Sequence, residues 1–179
     1  LPSFGVQGFA ITRKALDGLW RFRLDADGVG RAERWFAGPL RETQDMAAQD
    51  MAVPASYNDL LADPRLRDHV GEVWYQRTVR VPRGWDGGRV VLYLESATHR
   101  ATVWVGDEEV VRHEGGYTPF EADVTAVARA GELVRITVCV DNTLSFQTIP
   151  PGVVEQTPAG PRQRYWHDFY NYAGLHRTV

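Results

Sequence analysis

Hydrophobic residues recur at every second position along this chain more regularly than at every third or fourth. In "GLWRFRLD", Trp20, Phe22 and Leu24 alternate with Arg21, Arg23 and Asp25, the period of a strand with one face on a core. "EVWYQRTVRV" places Val73, Tyr75, Val79 and Val81 on one parity. "LVRITVCVDN" sets Val134, Ile136, Val138 and Val140 against Arg135, Thr137, Cys139 and Asp141. "GRVVLYLESA" is nearly continuously apolar, which predicts a strand covered on both faces. "RATVWVGDEEVVRHEGG" holds two β-rich runs that break at Gly106-Asp107, a hairpin signal. Parity predicts a core of Trp20, Phe22, Tyr75, Val79, Leu92, Leu94, Val103, Val105, Ile136 and Val138.

Helical periodicity is scarce. "SYNDLLAD" opens at Ser56, a residue type that caps helix N-termini, and "VTAVARAG" ends at Gly131. From "NTLSFQTIPPGVVEQTPAGPRQR" onward, prolines and glycines interrupt any strand pattern. Thr143 to Arg164 therefore reads as a long excursion over the surface, of a length that tends to carry function. Closely spaced strands separated by turn residues predict an all-β fold, an antiparallel β-sandwich of jelly-roll type. The expected organisation is an N-terminal extension over 1–15 and one domain over 16–179, with 143–179 leaving its body.

Composition narrows the function. The 179 residues suit one domain, with 44% hydrophobic and 24% charged residues. Net charge is -3 with both signs interspersed, which argues against nucleic acid, whose ligands need a basic stripe, and against an anionic membrane surface. No apolar run approaches the roughly 20 residues of a membrane helix. The first twenty residues lack a basic region followed by an apolar one, so no signal peptide is read and a cytoplasmic location is expected. Cys139 is the single cysteine. It excludes an intrachain disulfide or a thiolate zinc site and is expected to pack in a strand.

Candidate chemistry gathers in "RYWHDFYNYAGLHRTV", residues 164–179. Elsewhere there is no G-x-S-x-G, no phosphate-cradling glycine loop before a helix and no H-E-x-x-H. No pair of acidic residues announces the two carboxylates of a glycosidase. His167, Asp168 and His176 could suggest a metal, but spacing alone does not make a site, and neither metal nor cofactor is expected. His99 and His113 read as structural. Trp166, Phe169, Tyr170 and Tyr172 have two readings, packing at an interface or stacking on the apolar face of a sugar. Asp168, a carboxylate among aromatic rings, either accepts hydrogen bonds from local backbone or accepts them from the hydroxyls of a ligand.

Several stretches in order carry a family resemblance: "LDGLWRF", "AVPASYNDL", "VGEVWYQRTVRVPRGW", "THRATVWVGDEEVVRHEGGYTPFEADVT", "VRITVCVDNTLSFQTIPPG" and "HDFYNYAGLHRTV". Together they resemble the N-terminal domain of the β-glucuronidases of glycoside hydrolase family 2, from about Leu16 to Val179. "GGYTPFEADVT" and "NYAGLHR" are the most specific pieces. The resemblance implies a jelly-roll domain followed, in a longer parent, by an immunoglobulin-like sandwich and a (β/α)8 barrel. The barrel would hold both glutamates of a retaining mechanism, so this chain alone would be inactive. It further implies that the aspartate of the "HDF" motif, here Asp168, contacts the bound glucuronide, with His167, Tyr170 and Asn171 as possible supporting residues. The terminal run would then cross toward the barrel. The related β-galactosidases keep a sodium ion beside the matching aspartate; that metal is not carried over. Glu72 stands where the resemblance leads one to expect an uncharged polar residue. Expected partners are the remaining domains, a glucuronide, and further copies of the parent in a homo-oligomer. Two other functions remain open on the residues alone: an autonomous carbohydrate-binding module and a purely structural domain.

Overall fold

The computed structural model describes residues 11–41, 49–60, 62–158, 160–168 and 170–179. Ten strands are found among them: β1 (Gly18–Leu24), β2 (Gln49–Val53), β3 (Glu72–Arg80), β4 (Val91–Leu94), β5 (Arg100–Val105), β6 (Glu108–Glu114), β7 (Phe120–Asp123), β8 (Leu133–Asp141), β9 (Gly152–Thr157) and β10 (Gly160–Tyr165). Two single-turn helices, α1 (Tyr57–Leu60) and α2 (Pro64–Arg67), lie between β2 and β3. Every pairing is antiparallel. A six-stranded sheet has the order β2-β1-β3-β8-β5-β6, and β4-β7 and β9-β10 form two ribbons. The fold is the expected antiparallel β-sandwich of jelly-roll type.

The register explains the main core. Phe22 lies opposite Tyr75, Tyr75 opposite Val138, and Val138 opposite Val103. Successive strands thereby put their apolar parity on one face. Leu92, Leu94, Phe120 and Ala122 of the β4-β7 ribbon meet that face. Nine of the ten expected core residues are buried, and Val79 packs half-buried against them. The Phe22 and Tyr75 rings meet edge to face at 5.0 Å, the geometry favoured by ring quadrupoles.

Several expectations are corrected. The strand covered on both faces is not β4, whose Tyr93 is 46% exposed, but β3, β5 and β8. Their outward residues Trp74, Trp104 and Cys139 lie under a flap formed by residues 25–41, which contributes Trp35 and Leu40. Buried Asp25 nucleates the flap by accepting from the Val29 and Gly30 N–H groups and from Trp74 Nε1. Glu72, unexplained in the sequence, pairs with Arg31 of the flap at 2.6 Å. Cys139 packs there as expected.

"VTAVARAG" forms turns rather than a helix. "SYNDLLAD" is helical only over Tyr57–Leu60, and its last residues include one outside the described set. Residues 143–164, read as strandless, contain the β9-β10 hairpin instead. Pro150, Pro151 and Pro161 sit at or next to its strand ends, where a missing donor costs the ladder little. The final nine residues return to the sandwich: Ala173, Leu175 and Val179 are buried in the main core. Leu16 N–H donates to Val179 O and Glu95 N–H to Thr178 O. Among the described residues no helix is long and apolar enough to cross a membrane.

Candidate functional site

The "WHDFYNY" stretch is held at both ends. Upstream, β10 pairs with β9 as far as Tyr165. Gln163 ties this hairpin to the sandwich: its Oε1 accepts from Leu144 N–H at 2.6 Å and its Nε2 donates to Asn142 O at 3.0 Å. Trp166, 55% exposed, stacks on the exposed Phe146 at 6.0 Å, with Arg164 over its ring. Downstream, Asn171 is buried, with Oδ1 3.2 Å from His99 Nε2 and its carbonyl accepting from Asn58 Nδ2 at 3.1 Å. Ala173 N–H donates to Ser56 Oγ at 2.9 Å, and Gly174 pairs with Thr98 in an antiparallel bridge.

Between these anchors His167 and Asp168 are exposed. Asp168 forms no hydrogen bond or ion pair with the described residues. Its carboxylate is therefore presented to the surroundings rather than spent on the local turn. Phe169, one of the rings singled out in the sequence, lies outside the described residues. The following rings form a row. Tyr170 meets Tyr172 at 5.2 Å, Tyr172 stacks on His176 at 5.4 Å, and His176 meets Tyr117 edge-on at 5.6 Å. Tyr170 donates its hydroxyl hydrogen bond to Asn58 O at 3.2 Å. Tyr170 and Tyr172 are each more than two-fifths exposed. An open depression beside them is lined by Ser56, Asp59, Leu60, Tyr172, His176 and Arg177.

Burial disfavours the charged form of two histidines here, His99 and His176. His99, 1% exposed, has its pKa pushed down to about 4, mainly by desolvation. His176, hydrogen-bonded to Thr98 Oγ1 at 2.7 Å, is also lowered by desolvation. No group of three or more His, Cys, Asp or Glu side chains among the described residues could hold a metal. His113 stacks on Phe120 and bonds Thr118.

The structure thus places Tyr170 and Asn171 on one side of Asp168 and His167 on the other. Asn171 supports the segment from inside the domain, while Tyr170 braces it from outside. Sequence reasoning missed Asn58 and Ser56 as partners. Ser56 stands at the start of α1 as the sequence suggests, its carbonyl accepting from Asp59 and Leu60 N–H, and its hydroxyl in addition accepts from Ala173 N–H. The only available signal was the mixture of polar types in "SYN", which is also how an ordinary turn reads.

Residues 13–179 match the family model described as glycosyl hydrolases family 2, sugar binding domain. A β-glucuronidase of Paenibacillus borealis is 51% identical over 172 residues, 93% of this chain and 28% of that protein. A β-glucuronidase of Canis lupus familiaris is 47% identical, with the same coverage. Among solved structures, Lactobacillus rhamnosus β-glucuronidase matches with a TM-score of 0.83 at 35% identity, over 95% of this chain and 29% of its own. The β-glucuronidase of Ruminococcus gnavus in complex with D-glucuronic acid matches with a TM-score of 0.84 at 31% identity, over 95% and 30%. The chain spans under a third of the length of the relatives it matches. Its fold, its match over 13–179 and these relatives agree: the chain belongs to the sugar-binding domain family of the family 2 glycosyl hydrolases.

Proposed function

We propose that this chain is the N-terminal, non-catalytic domain of a retaining β-glucuronidase that hydrolyses β-D-glucuronides. In this reading the chemistry belongs to a (β/α)8 barrel further along the parent protein, where two carboxylates act as acid/base and nucleophile. The domain supports that barrel and lends it Asp168. The names of the relatives and the 28% coverage support the assignment to part of such an enzyme.

The observation that carries the role of Asp168 is its presentation: an exposed carboxylate, without a bond to the described residues, on a short span braced on both sides. A carboxylate so held accepts hydrogen bonds from sugar hydroxyls. It faces the ring hydroxyls and not the uronic acid group, whose like charge would repel it. Trp166, Tyr170 and Tyr172 offer apolar faces around it, suited to the barrel rim or to the sugar.

The test is Asp168→Ala in the full-length parent, with kinetics and melting measured on the same preparation. Charged hydrogen bonds are worth about 1.5–3 kcal/mol each, so kcat/KM should fall by about 10- to 100-fold while the melting temperature holds. Unchanged kcat/KM with a lowered melting temperature would instead make Asp168 a local structural group. The 179-residue chain alone should not turn over a chromogenic glucuronide.

A further inference from the structure

Asp168 stands only three residues before Asn171, and Asn171 is gripped from two sides. On one side is His99, at the start of the β5 region. Its backbone N–H donates to Asp141 O at 2.8 Å, and its carbonyl accepts from Gly115 N–H at 3.0 Å. Its Nδ1 lies against Gly116, where an added Cβ would stand 2.8 Å away, and has no hydrogen-bond partner. The ring is therefore fixed in place, and since Asn171 Oδ1, 3.2 Å from Nε2, can only accept, the neutral tautomer that fits this contact carries its proton on Nε2. On the other side is Asn58 of α1. Its Nδ2 donates to the Asn171 carbonyl, its own carbonyl receives the Tyr170 hydroxyl, and its Oδ1 accepts from Ser56 Oγ.

These contacts join points 72 and 113 residues apart in the chain. The Thr98–Gly174 bridge brings His99 alongside this run, and the Ser56–Ala173 hydrogen bond does the same for Asn58. Their polar groups converge on Asn171, His99 at its side-chain oxygen and Asn58 at its backbone carbonyl.

We propose that His99 and Asn58 are positioning residues: they clamp Asn171 and through it fix where the Asp168 carboxylate stands for the substrate. The proposal rests on the substrate role of Asp168 argued above. Neither residue touches the sugar. Their effect is geometric, and displacement of a catalytic-site group by about 1 Å can cost about a hundredfold in rate.

A double-mutant cycle in the full-length enzyme tests it. His99→Leu removes the Nε2 donor while keeping bulk, and His99→Gln keeps a nitrogen donor at a matching distance along the side chain. With Asp168 present, His99→Leu should lower kcat/KM by about tenfold or more, and His99→Gln should recover most of the loss. In the Asp168→Ala background, His99→Leu should cost nothing further, because its effect passes through the missing carboxylate. An equal loss in both backgrounds, or no loss in either, overturns the proposal. If His99→Leu does not fold, Asn58→Ala, on the half-buried helix α1, is carried through the same cycle with the same two outcomes. Asp168→Ala measured alone tests the reading beneath. If that variant keeps full kcat/KM, the substrate role fails, and the clamp as a device for Asp168 fails with it. If that variant is impaired but uncoupled from His99 and Asn58, only the clamp fails.

Discussion

Gly174 has φ +86°, and a Cβ at this position would overlap the Tyr75 hydroxyl and press on Tyr57. A left-handed backbone costs a side chain about 1–2 kcal/mol, and overpacking a core adds about 1–3 kcal/mol. Gly174→Ala should therefore destabilise the chain by about 2–5 kcal/mol, read from the shift in its denaturant midpoint. A change under about 0.5 kcal/mol would mean that residues 171–179 are not packed as described. His99 offers a second measurement. With its native pKa near 4 and an unfolded value near 6.5, the unfolded chain binds a proton at pH 5 that the folded chain excludes. Stability should hold above about pH 6.5 and fall toward about pH 4, by up to about 1.4 kcal/mol per pH unit from this residue alone. Asp123 acts in a lower window. Held at about 2, first by Thr125 and then by Arg89, it stabilises above about pH 4 and loses that contribution only as the pH falls toward 2. Unfolding midpoints at pH 7 and pH 5, for the wild type and for His99→Gln, isolate the histidine. The slope over this window should be shallower in the variant, and an equal slope would contradict the assignment.

At the scale of an element, β1 gives the cleanest contrast. Phe22 is 1% exposed and touches Tyr57 and Tyr75, while Leu19 on the same strand is 65% exposed. Phe22→Ala should cost about 3–5 kcal/mol and Leu19→Ala less than about 0.5 kcal/mol, compared by thermal or denaturant unfolding. Comparable losses at both positions would contradict the assigned face of β1. The parity of Trp20, Phe22 and Leu24 made this strand legible in the sequence, because a strand buried on one face writes its burial in period two. The flap over the outer face was not legible. Trp74, Trp104 and Cys139 fell on the parity that ordinarily faces water, and what covers them comes from residues 25–41 of low regularity. The β9-β10 hairpin was hidden for another reason: its residues are mostly half-exposed or exposed, so burial imposes no pattern on them. At the site, Asp168 and Asn171 were reachable through the resemblance of "HDFYNYAGLHR". The groups that hold the segment, Asn58 and His99 at Asn171 and Ser56 at Ala173, were not, since a contact between distant polar residues leaves no periodicity behind.

At the scale of the whole molecule, two pairs of exposed rings flank Asp168 along the chain, Trp166 on Phe146 before it and Tyr170 with Tyr172 after it. The sheet supplies rigidity, the hairpin and the hydrogen bonds at Asn171 hold the two ends of the segment, and the carboxylate between them is exposed, where the proposed ligand would meet it. The central claim is that this ligand is the sugar ring of a β-glucuronide. The most direct measurement compares kcat/KM of the full-length enzyme and its Asp168→Ala variant on glucuronides in which one ring hydroxyl at a time is replaced by hydrogen. For the hydroxyl that donates to Asp168, its removal should cost the wild type about tenfold or more and the variant nothing further. If every deoxygenated substrate loses the same factor in both enzymes, Asp168 does not contact the sugar.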